Sequence, residues 1–511
     1  MTTSTLILLV FAIYFGIIIG LAIRFRKSKN LTDYYLGGRS LNVWVGALSA
    51  QTSDMSGWLL MGLPGAIYAA GTGRAWIAVG LIIGTALNWL FVAKRLRRYT
   101  IIANNSVTLP EYLENRFHDK SHVLKITAAI FFAIFFTVYA ASGFVAGGTL
   151  LPQIFDINYQ VAVIVLASFV VLYTFIGGLK AISWTDSIQG MMMLLAVMLL
   201  PVIVISTMGG WGAVSDGIPA GFLNIMSDGE GGTIAARSII SDMAWGLGYF
   251  GMPHILVKLI AIRKEKYVSR SALIAMIWVV LALGSAVMVG LVGRSFMPGL
   301  ENPETVFIQM VRTIFIEHGS LWMILIGGLF LCGMFAAIKS TADSQLLVGS
   351  SAVADMYRVA NKKVSDSHLV WFSRVAVLVV AAIAIWIALD AYDPAIGGPD
   401  RSTGVMVLVA MAWAGFGAAF GPLVLTSLFW KRTNLPGAIT GVIVGGVTVI
   451  IWQYIPFLDG GTLRDATGIF SLVPGFFLSL ISIIVVSMAT KPPSREIEEE
   501  FEKASVPSPE L

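Results

Sequence analysis

The residues Ser49-Ala50-Gln51-Thr52-Ser53-Asp54-Met55-Ser56-Gly57-Trp58 place a carboxylate, several hydroxyls and a glycine in the middle of an apolar run. That run extends from about Leu41 to Ala70, enough to cross a bilayer at ~1.5 Å per residue. An aspartate at bilayer depth costs roughly 2.5–3.5 kcal/mol, so it needs a partner or a task. Gly57, Gly62, Pro64 and Gly65 weaken the helix on either side. Two chemistries fit. In one, the helix is broken, and its freed carbonyls and hydroxyls coordinate an ion beside a small solute. In the other, a kinked structural helix pairs its polar groups with neighbours.

A second polar cluster is Ala336-Ala337-Ile338-Lys339-Ser340-Thr341-Ala342-Asp343-Ser344-Gln345. At 3.6 residues per turn, Ala337, Ser340, Thr341 and Ser344 share a stripe about 100° wide. Small residues and hydroxyls on one stripe suit sodium, a hard cation that takes oxygen ligands. The same pattern also serves plain helix–helix contact. Lys339 and Asp343 are one turn apart on a neighbouring face and read most simply as an intrahelical ion pair. A role for Lys339 as a built-in cation or proton carrier stays open, because a desolvated lysine sheds its proton readily. Asp186 opens a span, either as a carboxylate on a helix dipole or as a cation attractor on an exit path. Tyr139 lies mid-span among small residues, where a buried phenol needs a hydrogen-bond partner. In Trp245-Gly246-Leu247-Gly248-Tyr249-Phe250-Gly251-Met252-Pro253-His254, three glycines and a proline predict a second interrupted helix.

The elements that hold these clusters follow from composition. Only 12% of the 511 residues are charged and 57% are hydrophobic, whereas a soluble chain carries about a quarter charged residues. The chain reads as an all-α polytopic membrane protein. The net charge of +5 belongs to basic loops rather than to a nucleic-acid surface. One cysteine excludes an internal disulfide and a cysteine metal cluster. The absence of a glycine-lysine phosphate loop argues against transport powered directly by nucleotide. Nothing in the sequence requires a protein partner.

Apolar windows predict about thirteen spans, at 4–25, 42–70, 75–95, 125–153, 159–177, 187–208, 236–260, 271–296, 320–352, 369–390, 404–429, 436–455 and 467–489. The first run precedes Arg24, Arg26, Lys27 and Lys29, which marks it as a span, not a leader, with its N-terminus outside. Alternate loops then carry the basic residues: Arg39; Lys94 to Lys120; Lys180; Lys258 to Arg270; Arg358, Lys362 and Lys363; Lys431 and Arg432. The intervening loops hold little beyond Arg74, Arg237, Arg401 and Arg464, and an odd count leaves the C-terminus inside. Two sets of five, 42–208 and 236–429, each open on an interrupted helix, the pattern of an inverted repeat. The helix at 4–25 precedes them and two at 436–489 follow, so residues 1–490 form one domain. The Glu-rich tail 491–511 is expected to be a solvated helix or disordered, and Gly209–Ile234 a partly ordered cap.

Five motifs carry a family resemblance. They are Tyr35-Leu36-Gly37-Gly38-Arg39-Ser40-Leu41, Ser53 through Gly65, Thr174-Phe175-Ile176-Gly177-Gly178, Trp245 through Gly251, and Trp413-Ala414-Gly415-Phe416-Gly417-Ala418-Ala419-Phe420-Gly421-Pro422. With these the chain resembles the sodium/solute symporter family, and its bacterial proline branch in particular. The resemblance implies the leucine-transporter-like fold, a 5+5 inverted repeat. It implies Na+ as coupling ion, held by the carbonyls of Thr52, Met55 and Ala337 and the hydroxyls of Ser340 and Thr341. It implies solute contacts at Ser56, Gly57, Trp58, Tyr139, Trp245 and Tyr249, with Asp54 beside the ion and Asp186 on its inner route. Asp186, Ser340, Asp343 and Ser344 are candidates for a second sodium. Two departures stand out: Lys339 replaces an apolar residue, often Met, and Gly251-Met252-Pro253-His254 replaces Gly-Gln-Pro-His.

The leading expectation is sodium-coupled uptake of L-proline across the inner membrane by a multi-pass protein in the lipid bilayer. One alternative keeps the fold but couples transport of proline, a related small amino acid or betaine to protons, or to no ion, with Lys339 as replacement cation. Another is a solute sensor, although only about twenty residues follow the last span, too few for an output domain.

Overall fold

The computed structural model describes residues 2–25, 30–317, 319–361, 363–394, 398–399, 403–457 and 461–508, and these form a helical bundle with two short β-ribbons in loops. Arg26, Lys27, Lys29, Lys362 and Arg401, counted above among the loop charges, lie outside the described residues. Among the described residues, ten helical stretches are long and apolar enough to cross a membrane, against thirteen expected spans. The difference is one of division. Gly57–Ile102 joins parts of two expected spans, Tyr159–Thr207 joins two more, and the stretch at 236–260 is too fragmented to count.

Both interruptions are present, and each has a local cause. Asn42 caps the helix Val43–Asp54 by accepting from the Val45 amide. The chain leaves helical geometry at Met55 (φ −80°, ψ 77°) and restarts at Gly57–Leu60, where the Ser56 hydroxyl accepts from the Trp58 amide at 3.4 Å. The hydroxyls of Thr52 and Ser53 bond back to the carbonyls of Leu48 and Ser49, which loosens the last turn before the break. In the second interruption, Ala244–Phe250 winds as a tight 3₁₀ helix. The chain breaks at Gly251-Met252, and Pro253–Ile260 begins with proline in its first turn, where the missing N–H costs nothing.

Helix Leu321–Ala360 runs through the centre, buried without interruption from Phe330 to Ala352. It packs on Val123–Leu150 and on the long helix Tyr159–Thr207. That long helix turns sharply at Gly178 (φ 67°, ψ 177°), a conformation that glycine adopts freely. Its second arm therefore begins at Leu179. Asp186 sits about two turns inside it, so the expectation that Asp186 opens a span is corrected.

The basic segments gather at one end of the molecule. Leu41 pairs with the chain at Ala261–Arg263 through bonds of 3.2 and 2.9 Å. Arg39 donates to the carbonyls of Ser106 and Ile260 at 2.8 and 3.1 Å, and Arg97 to that of Ile262 at 2.7 Å. The tail is a helix over Arg495–Ser505 with its charged face exposed as expected, but its other face docks here, burying Ile497, Phe501 and Ala504. Arg98 donates to the Ala504 carbonyl at 2.5 Å and forms a buried bidentate pair with Glu265. Arg95 and Arg116 stack over the Phe501 ring. The acidic tail found a basic, partly apolar surface, which charge counting along the chain does not reveal. At the opposite end, the 209–234 segment covers Gly71–Trp76 through bonds from Thr72 and Trp76 to the carbonyls of Phe222 and Ile225, as a partly ordered cap should.

Candidate functional site

The first break and the central helix meet. The Thr52 carbonyl accepts from the Ser340 hydroxyl at 3.2 Å and from the Thr341 hydroxyl at 3.3 Å. Ser340 is also 3.2 Å from the Ala337 carbonyl. All four residues are fully or almost fully buried. Four of the five expected ion ligands are thus linked by direct contacts, and Met55 stands three residues from Thr52 at the break itself. On its other side Thr52 meets the Tyr159–Thr207 helix at Gly190, where a Cβ would come within 2.2 Å of the Thr52 hydroxyl.

Beside this cluster, the Tyr249 phenol donates to Asp54 Oδ2 at 2.5 Å, and Asp54 Oδ1 is buried without a hydrogen-bond partner. The Trp58 indole donates to the Asp54 carbonyl at 3.2 Å. Gly57 lies against Ala146 and Ile338, with no room for a Cβ, which would sit 2.9 Å from the Ala146 methyl. The Tyr139 hydroxyl is buried without a partner, and its ring meets His254 edge-on at 5.7 Å. Both ring nitrogens of His254 are likewise unpartnered. Trp413 links the remaining two solute candidates. Its indole donates to the Trp245 carbonyl at 2.7 Å, and Tyr249 packs edge-on against it at 5.2 Å. Trp245 also lines a cavity of about 390 Å³ with Met406, Phe470, Arg464 and Asp242. Trp245 therefore borders that cavity, while Tyr249 is buried against Asp54.

A further polar layer surrounds Asp186. Its Oδ2 accepts from Ser49 at 2.8 Å, from Ser53 at 3.2 Å and from the Lys258 ammonium at 3.0 Å. Ser53 also meets Ser344 at 3.0 Å, and Lys258 donates to Ser183 at 3.3 Å. Lys258 and Asp186 are both fully buried, so Lys258 is no loop charge, contrary to the sequence-based reading. Lys339 pairs with Asp343 as expected and lies 3.4 Å from the centre of the Tyr173 ring. The Asp343 carboxylate accepts from Thr174 at 3.3 Å. Lys339 thus faces the Tyr159–Thr207 helix, whereas Ser340 and Thr341 face the break.

Sequence reasoning gave no site role to Lys258, Ser183, Tyr173, His254 or Trp413, and placed Ser49 and Ser53 only among the hydroxyls of the first polar stretch. Lys258 carried a usable signal: it is the only charge between His254 and Ile262. Trp413 stood inside a quoted motif without a role. Ser183 carried none, since serines line many ordinary helix contacts.

A broken helix whose end carbonyl is gathered by hydroxyls of a second helix, with buried carboxylates and aromatic rings around it, defines a multi-pass membrane transporter. The model of the sodium:solute symporter family matches residues 34–445, and the chain belongs to that family. The sodium/proline symporter of Escherichia coli (strain K12) is 42% identical over 515 residues, covering 99% of this chain and 97% of that protein. The high-affinity proline transporter PutP of Bacillus subtilis (strain 168) is 42% identical over 486 residues, covering 93% and 96%. A substrate-bound, outward-open sodium-coupled sialic acid symporter aligns at TM-score 0.79 over 96% of this chain and 98% of that one, with 18% identity. MhsT in complex with L-phenylalanine aligns at TM-score 0.51 over 87% and 98%, with 14% identity. The fold is leucine-transporter-like.

Proposed function

We propose that this chain is a secondary active transporter that takes up L-proline with sodium by alternating access in the inner membrane. One observation carries the reading: the Thr52 carbonyl, freed near a helix break, is collected by the hydroxyls of Ser340 and Thr341 beside the Ala337 carbonyl. Carbonyl and hydroxyl oxygens converging in a buried region suit a small hard cation as cargo. Sodium is held there by Thr52, Met55, Ala337, Ser340 and Thr341. Proline lies against Ser56, Gly57, Trp58, Tyr139 and Tyr249, with Trp245 at the entrance. Its carboxylate meets the amides freed at the break, and its ring packs on aromatic faces. The full-length relatives named for proline support that choice of solute. Residues 1–490 act as one transporter domain with the inverted repeat at 42–208 and 236–429. The N-terminus is outside, and the C-terminal tail is inside, on the end where the basic segments gather.

Lys339 has a partner in Asp343 and points away from Ser340 and Thr341, which favours sodium over a lysine substitute at that position. The test is uptake of labelled proline into proteoliposomes with and without an inward sodium gradient at fixed pH, competed by betaine and small amino acids. Sodium-dependent accumulation blocked by excess proline is expected. Equal uptake without sodium removes the coupling, and binding without flux removes transport.

A further inference from the structure

We propose that the tail helix Arg495–Ser505 is a latch on the inner end of the molecule. Seated, it holds that end closed, and it must lift for the solute to leave. Sodium binding favours the seated form. This rests on the sodium-coupled reading above and goes beyond it to a regulatory contact.

The closed end is a junction between the two five-helix sets. Arg39 and Leu41, at the head of the first set, bind the backbone at 260–263 of the second. Arg97 adds bonds of 2.7 and 3.1 Å to the carbonyls of Ile262 and Arg263. The tail helix crosses the same junction. Arg98 of the first set donates to the Ala504 carbonyl at 2.5 Å while it holds Glu265 of the second. Just past the helix, the Ser508 amide donates to Glu265 at 3.4 Å. Arg95 bonds Ser505 and lies over the rings of both Phe429 and Phe501, at 5.1 and 4.8 Å. Lys431 faces Glu498 and Glu502 at 3.8 and 3.5 Å. Alternating access moves one set against the other, so the junction parts only after the tail has released one side.

The seat is suited to release. Arg116 is fully buried, yet both of its terminal nitrogens lack a hydrogen-bond partner among the described residues. Its guanidinium has the rings of Tyr99, Phe117 and Phe501 around it at 5.0–5.4 Å. Ring faces hold a cation, but they do not replace the hydrogen bonds that water would supply, so docking Phe501 carries a cost that undocking removes. The Lys431 pairs are exposed and contribute little. In this closed form the oxygens of Thr52, Ala337, Ser340 and Thr341 also converge. Sodium and the tail therefore select the same form, and each strengthens the other by one factor.

The experiment follows tryptic cleavage after Arg495 and Lys503 in the purified full chain in detergent. Sodium chloride is compared with potassium chloride at equal ionic strength, so that screening of the Lys431 pairs is the same in both. Cleavage should be at least about fivefold slower in sodium, the low end of ordinary coupling between two sites. Phe501→Ala should be cut quickly in both salts, and its half-maximal sodium for proline uptake into proteoliposomes should rise by about the same factor. Equal cleavage of the parent in the two salts overturns the proposal without any variant, so a poorly folded Phe501→Ala leaves it falsifiable. A folded Phe501→Ala whose tail is cut quickly, while half-maximal sodium stays within about twofold of the parent, also overturns it: the tail is then a static strut. Parental proline uptake indifferent to sodium strikes the sodium-coupled reading itself, and that result is read from flux rather than from cleavage.

Discussion

Removing the hydroxyl of Ser340 or Thr341 gives the sharpest test of the ion assignment. In the structure each hydroxyl donates to the Thr52 carbonyl, at 3.2 and 3.3 Å. As a neutral hydrogen bond, either contact is worth about 0.5–1.5 kcal/mol, which sets the expected loss of folding stability in Ser340→Ala or Thr341→Ala. As a ligand to a cation, the same oxygen contributes about 1.5–3 kcal/mol, the range for bonds to charged groups. At 1.4 kcal/mol per tenfold, the sodium concentration for half-maximal uptake should rise about 10- to 150-fold. The assay is sodium activation of labelled proline uptake in proteoliposomes, normalised to the amount of folded protein. Ser479→Ala is the control, because its buried hydroxyl makes a comparable bond of 2.9 Å to the Gly441 carbonyl between two other helices. It should lose similar stability and keep parental sodium activation. The reasoning is refuted if half-maximal sodium in Ser340→Ala and Thr341→Ala stays within about twofold of the parent, a shift worth under about 0.5 kcal/mol. Because binding is reciprocal, the same variants should show weaker proline binding at low sodium and recover at high sodium.

Three further outcomes follow from the geometry. Tyr249→Phe removes the 2.5 Å donor to Asp54 and leaves both carboxylate oxygens buried without one. At about 1–3 kcal/mol for an unsatisfied group, apparent proline affinity measured by uptake should fall about 5- to 150-fold. Gly248→Ala places a methyl 2.1 Å from the Trp413 indole nitrogen, which is already bonded to the Trp245 carbonyl. Overpacking of about 1–3 kcal/mol should lower the thermal unfolding midpoint in detergent and weaken proline binding together. Arg98→Ala strands Glu265, whose two oxygens accept bonds of 2.7 and 2.8 Å from that guanidinium. Breaking a buried pair from one side costs about 3–5 kcal/mol, so the midpoint should drop and the tail beyond Lys491 should become sensitive to limited proteolysis.

The membrane class, the interruption at Met55-Ser56, the one at Gly251-Met252 and the hydroxyl stripe of Ala337, Ser340 and Thr341 were legible in the sequence. Each is a local matter. Hydropathy is a sum over neighbours, a serine caps the turn that follows it, proline interrupts the helix it would extend, and a stripe follows from 3.6 residues per turn. Pairings between distant residues were not legible. Lys258 read as a loop charge, yet it neutralises Asp186, 72 positions earlier. Asp186 read as the start of a span because the turn at Gly178 rests on one positive φ that no apolar window records. The Glu-rich tail read as solvated because its partners, Arg95, Arg98 and Arg116, lie some 400 positions back along the chain. Local order alone determined where the helices break and which hydroxyls share a helix face. Which charge meets which was decided by packing, because a buried ion is tolerated only beside its opposite, and only the folded bundle brings the two within about 3 Å.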